Sequence, residues 1–136
     1  LNHVPIRKVI TPAVPEPPGG IFSQCLVVGD TVHISGQHAG APGGGLLGDG
    51  SPQDQARQSF RKVIALVEAA GGTAADIVKL TFYLTRIEDR AAVSAVRREF
   101  FSDPMPCSTL VGVNALVAPE LLVELDAVAV LGAGRA

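Results

Sequence analysis

Hydrophobic and polar positions alternate along several short runs and recur at helical spacing along two others. Cys25–Val28 and Thr31–Ser35 are apolar, β-branched runs joined by Gly29-Asp30, a two-residue hairpin signal. Arg7–Ile10 predicts a short strand ahead of them. Ser51-Pro52-Gln53-Asp54 combines a hydroxyl cap, a proline at the first helical position and an acid in the first turn. From there Ala56, Phe60, Val63, Ile64 and Val67 repeat at helical spacing until Gly71-Gly72 stops the helix. Gln55, Arg57, Arg61, Lys62 and Glu68 are expected on its solvated face.

Ile77–Leu84 alternates, with Val78, Leu80, Phe82 and Leu84 on one face and Lys79, Thr81 and Tyr83 on the other. Asp89 is placed to cap a second helix whose stripe is Ala92, Val93, Val96 and Phe100. Arg90, Arg97, Arg98 and Glu99 fall mostly off that stripe, and Pro104 and Pro106 close the segment. Thr109–Val113 and Leu121–Leu131 predict two final strands. The order β-β-β-α-β-α-β-β, with right-handed crossovers, puts both helices on one face of a mixed sheet. The expected fold is a two-layer α+β sandwich.

Such a sandwich leaves one sheet face bare. Along the last strand Leu121, Val123, Leu125, Ala127 and Ala129 take one side; Leu122, Glu124, Asp126, Val128 and Val130 take the other. Both sides are rich in apolar groups, and the chain has no spare element to cover the second. A homo-oligomer follows as the expectation, with ligand sites where subunits meet.

Composition narrows the setting. The 136 residues form a single domain, 1–136, with a tail and loop over 1–20 and a Gly-rich loop over 37–50. Hydrophobic residues make up 47% of the chain, too many for disorder. Eleven basic and thirteen acidic side chains argue against a broad nucleic-acid surface. Leu1–Ile10 lacks the apolar core of a secretory leader, and no run is long enough to span a membrane. Two cysteines without a CxxC fit a reduced, cytoplasmic location.

The obvious motifs carry little. Gly43-Gly44-Gly45-Leu46-Leu47-Gly48 matches G-x-G-x-x-G but trails its strand and stops short of the Ser51 cap, so a surface loop is expected. His33 and His38 lie five apart, which on a strand points them to opposite faces, and no metal or other cofactor is predicted. Two features stand out. Pro106-Cys107-Ser108-Thr109 brings a thiol and two hydroxyls to a strand entrance, although a buried Cys107 serving only packing fits the residues too. Glu124 and Asp126 share one face of an otherwise apolar strand, as a general base near a subunit cleft or as partners of a neighbouring subunit's arginines.

Several segments in order resemble the YjgF/RidA family, also labelled endoribonuclease L-PSP-like, from Ile21 to Val130. They are Phe22-Ser23-Gln24 with Val28-Gly29-Asp30, Ile34-Ser35-Gly36-Gln37, Glu68–Gly72, Ile77-Val78-Lys79 and Leu122–Ala129. The resemblance implies a chorismate-mutase-like fold and a homotrimer with small-molecule clefts between subunits. It also implies hydrolysis of reactive enamines or imines to 2-oxo acids and ammonia. On that pattern Glu124 matches the glutamate that positions water, and Ser35-Gly36 match a serine–glycine pair. Phe22 stands in place of a tyrosine lining the cleft, and Glu88 in place of an asparagine. Ser108 replaces the arginine that grips the substrate carboxylate.

A serine hydroxyl offers one short donor where a guanidinium offers a charged planar fork, a loss of roughly ten- to hundredfold in binding. Arg86, at the end of Ile77–Leu84, is the candidate substitute. Two classes therefore stay open. One is a hydrolase with Glu124 holding water and Ser108, Cys107, Ser35 and Phe22 shaping the pocket; the other is a non-catalytic metabolite-binding or sensing protein. An endoribonuclease is disfavoured by the acidic balance and the lack of a basic stripe.

Overall fold

The computed structural model describes residues 3–135. Six strands form one sheet: β1 (Ile6–Val9), β2 (Cys25–Val28), β3 (Thr31–His38), β4 (Ile77–Leu84), β5 (Cys107–Gly112) and β6 (Val123–Val130). Their order across the sheet is β1-β2-β3-β6-β4-β5. Only β4 and β5 run parallel; the other neighbours are antiparallel. Two helices, α1 (Pro52–Ala69) and α2 (Arg90–Phe100), contribute to one core together with a single face of the sheet. This is the α+β sandwich expected from the alternation.

The N-terminus of α1 forms as its residues dictate. Ser51 Oγ accepts from the Asp54 amide at 3.1 Å, and Pro52 occupies the first turn, where its missing N–H costs nothing. Asp54 in turn accepts from the Asp49 amide at 3.0 Å, fastening the Gly-rich loop to the helix. Phe60 fills the centre of the core. Its ring meets Phe82 and Phe101 edge-on at 5.8 and 5.5 Å and Phe100 at a tilt, at 5.2 Å.

Four details differ from the sequence expectation. β3 runs on to His38, because Gln37 and His38 pair with Leu125 and Glu124 beyond a bulge. A second bulge, between Ile77 and Lys79, puts Ile77 into the core and leaves Val78 exposed, reversing the face expected for Val78. Gln55 is fully buried rather than solvated. Its Nε2 donates to Gly50 O and Glu120 O, and its Oε1 accepts from the Leu122 amide, so all its strong partners are backbone groups. Asp89 holds Arg86 instead of capping α2, and a 3-10 turn, Ile87–Asp89, leads into the helix.

Among the described residues no layer covers the other face of the sheet. Leu26, Val28, Val128 and Val130 are only half-buried there. No helix among the described residues is long and apolar enough to cross a membrane.

Candidate functional site

The bare face carries two acids side by side on β6, and strand register sets their surroundings. Residues paired across strands share a face. His38, Glu124 and Tyr83 form one row across β3, β6 and β4. In the next row Thr81 pairs with Asp126. On the β3 side the bulge between Ile34 and Gln37 sets two residues, Ser35 and Gly36, opposite Asp126. The bulge thus brings Gly36 under Glu124. A Cβ on Gly36 would sit 2.9 Å from the Glu124 carboxyl carbon, so glycine is the residue that leaves the carboxylate room.

The two acids have different surroundings. Asp126 accepts from the Tyr83 hydroxyl at 2.8 Å, and that bond raises the Tyr83 pKa. Glu124 takes no hydrogen bond among the described residues. Partial burial, with the Asp126 charge next to it, pushes its pKa above the usual carboxylate range. A carboxylate held in this way is a stronger base than a solvated one, which suits it to accepting a proton from water.

Ser35 anchors the neighbouring loop. Its Oγ donates to Ser23 O at 2.6 Å, and its amide donates to Gln24 O at 2.9 Å. Buried Gln37 donates to Gln24 Oε1 at 2.7 Å, so the segment carrying Phe22 is tied to β3 at three points. Phe22 itself is exposed beside it. A hollow of about 250 Å³ lies on this face, lined by Ser23, Leu26, His33, Ser35, Asp126 and Val128.

Of the residues expected at the site, Ser35, Gly36 and Glu124 therefore lie in one region of the bare face, and Phe22 is exposed on the segment tied to it. The other three lie elsewhere in the chain. Glu88 is exposed on the turn after β4. Cys107 begins β5 beside Lys79 and lines a separate cavity of about 570 Å³ with Val78, Met105 and Arg135. Ser108 pairs with the core residue Leu80 and so faces the helix side, where it accepts from Arg97 Nη1 at 2.6 Å. Arg86 is occupied by Asp89 at 3.0 Å. Within a single chain neither Ser108 nor Arg86 joins Glu124.

Tyr83 belongs to the site although it was expected only as one member of a polar strand face. The alternation of Ile77–Leu84 was the signal for it. In the sequence His38 bears only on the question of a metal site. It is a half-buried neighbour of Glu124 in register, its Nδ1 accepting from the Gly40 amide at 3.0 Å. No group of three or more His, Cys, Asp or Glu side chains is placed to hold a metal among the described residues.

Comparison with known proteins agrees with this architecture. Residues 14–131 match the model of the family described as Endoribonuclease L-PSP. The 2-iminobutanoate/2-iminopropanoate deaminase of Dermatophagoides farinae is 35% identical, covering 93% of this chain and 98% of its own. A crystal structure of a protein of unknown function from Pseudomonas aeruginosa is 40% identical with a TM-score of 0.86, covering 96% of this chain and 95% of its own. RidA from an Antarctic Psychrobacter is 34% identical with a TM-score of 0.80, covering 92% of this chain and all of its own. The segments around Ser35-Gly36 and Glu124, the sheet they sit on and these likenesses agree: the chain belongs to the endoribonuclease L-PSP family, the YjgF/RidA group.

Proposed function

We propose that this protein hydrolyses a small enamine or imine metabolite to a carbonyl compound and ammonia, with Glu124 holding the attacking water. The observation that carries the reading is the Glu124 carboxylate. It lies over Gly36 on a bare sheet face, accepts no hydrogen bond among the described residues and is made more basic by burial and by Asp126.

The chemistry asks little more of the protein. An imine carbon is already electrophilic, so the main task is to orient one water and take its proton. Glu124 accepts a proton from the water as its oxygen bonds to carbon and passes that proton to the imine nitrogen, giving a carbinolamine. It then takes the carbinolamine hydroxyl proton and delivers it to nitrogen as the C–N bond breaks and the C=O bond forms, so that ammonia leaves. Deaminase names among relatives of about one-third identity support the same reaction class.

The half-buried apolar side chains beside the acids support a homotrimer, with each cleft closed by a neighbouring subunit. In that arrangement Phe22, Ser35 and Gly36 line the substrate side of Glu124. The β5 residues Cys107 and Ser108, with Glu88, come from the adjoining subunit.

The test is 2-oxobutanoate release from 2-iminobutanoate generated in situ by a dehydratase. Acceleration over buffer that Glu124→Gln abolishes is the expected result. A Glu124→Gln variant with full turnover would remove Glu124 from the reaction. Saturable binding of the 2-oxo acid without any acceleration would instead assign the cleft to a metabolite-binding protein.

A further inference from the structure

We propose that Arg97 on α2, held by Ser108 on β5, forms a carboxylate-binding subsite that selects anionic substrates. Arg57 bridges Asp54 and Glu99, and Arg86 binds Asp89. Arg97, like Arg7, Arg61, Arg90 and Arg98, has no carboxylate within ion-pair distance among the described residues, and it differs from them in its seat against the core. Its guanidinium carbon lies 4.1 Å from the centroid of the Phe82 ring, over a side chain that is fully buried. Its Nη1 donates to the exposed Ser108 hydroxyl, and its Nε is buried with no acceptor.

Those contacts fix a planar cation in place without neutralising it. The aromatic face orients the guanidinium and displaces part of its water. Ser108 accepts only one of five N–H groups. Burial pulls the Arg97 pKa below its ordinary value, the mark of a dehydrated cation awaiting a counter-charge. A carboxylate is the planar anion that matches the remaining N–H fork.

The position also suits a ligand. β5 is the edge of the sheet, so its outward backbone N–H groups have no strand partner there. Ser108 is exposed on that edge. Within one chain it faces the helix side, away from Glu124, so the subsite would complete a cleft only against a second copy. The inference rests on the hydrolytic reading for what the carboxylate is attached to: a small 2-imino or 2-oxo acid.

The experiment follows the arginine Nε–H signals of the full-length protein by NMR while 2-oxobutanoate is added, with neutral 2-butanone as the control. The expected result is a saturable shift of the Arg97 signal with the acid and none with the ketone. Arg97→Met keeps the stem over Phe82 but removes the fork, and should weaken 2-oxobutanoate binding roughly ten- to hundredfold while the fold is retained. Ser108→Ala should weaken it less, and adding Ser108→Arg to Arg97→Met should restore part of the loss. A purely structural Arg97 would show none of this ligand dependence. Unchanged affinity in Arg97→Met, or an Arg97 signal indifferent to the acid, overturns the subsite. Parallel turnover assays separate the two claims. Native turnover that Arg97→Met retains in full removes the subsite and leaves hydrolysis standing. An acid-dependent, Ser108-sensitive Arg97 signal without native turnover removes hydrolysis and leaves the subsite.

Discussion

Along β6 the sheet shows its two characters residue by residue. Val123, Leu125, Ala127 and Ala129 are at most 3% exposed, packed under α1 in the core that α2 completes. Glu124, Asp126, Val128 and Val130, one step out of phase, stand half-buried on a face with no layer over it among the described residues. The covered face also buries polar groups, and apart from the Arg97 Nε those beside the core are satisfied. Gln55 bonds three backbone groups, Ser59 bonds the Gln55 carbonyl, and Asp76 accepts from the Thr73 and Gly134 amides. On the bare face Asp126 has Tyr83, whereas Glu124 has only space over a glycine. Stability is concentrated on one side of the strand and unsatisfied chemistry on the other.

The largest expected effect lies on the covered side. Phe60 is fully buried against three other rings, and Phe60→Ala should cost about 3–5 kcal/mol in chemical denaturation. Gln55→Ala comes next. It leaves the Leu122 amide and two carbonyls without their side-chain partner, a loss of about 1–3 kcal/mol. If Gln55→Ala unfolded at the native denaturant midpoint, the claim that this face depends on satisfying its polar groups would fail.

The bare face should respond with the opposite sign. The raised Glu124 pKa means that the folded state binds this proton more tightly than the unfolded chain does. Ionising Glu124 therefore destabilises the fold as pH rises through its folded pKa, and the effect is absent below the ordinary value of 4.5. Glu124→Gln should raise the Tm at neutral pH, by less than either loss above, and change little in acid. A lower Tm at neutral pH would show that the carboxylate serves the fold.

Which parts of this were legible in the sequence follows from the range of the interactions involved. β2 and β4 have the expected bounds, and Ser51 caps α1 as expected, because strand alternation and capping are settled by near neighbours. Glu124, Asp126 and Tyr83 were assigned to their face by period two alone. The bulge at Val78 was not legible, since Ile77 and Val78 are both β-branched and either fits the core. Gln55 looked solvated because its partners Glu120 and Leu122 lie 65 and 67 positions away. Ser108 matched a cleft position by resemblance, but its face depends on the register of β5 against β4, which nothing local to β5 dictates.

The smallest effect sharpens the contrast within the row His38–Glu124–Tyr83. Burial and the Lys62 charge lower the His38 pKa below its ordinary 6.5, and its Nδ1 needs a lone pair to accept the Gly40 amide. The folded state therefore binds this proton less tightly than the unfolded chain. The associated stability is complete above pH 6.5 and is lost as pH falls through the folded pKa. His38 thus favours the fold at higher pH, and its neighbour Glu124 opposes it there. Denaturant midpoints of the native protein, His38→Asn, Glu124→Gln and the double variant across pH 4.5–7.5 separate the two slopes. Between 4.5 and 6.5 the two contributions have opposite signs, so the two single variants should change the native pH dependence in opposite directions. His38→Asn should keep the Glu124 slope, stability falling as pH rises, while Glu124→Gln should keep the His38 slope. If His38→Asn left the acid limb unchanged, the Gly40 contact would hold a histidine that titrates as it does in the unfolded chain. The row would then have one perturbed group rather than two.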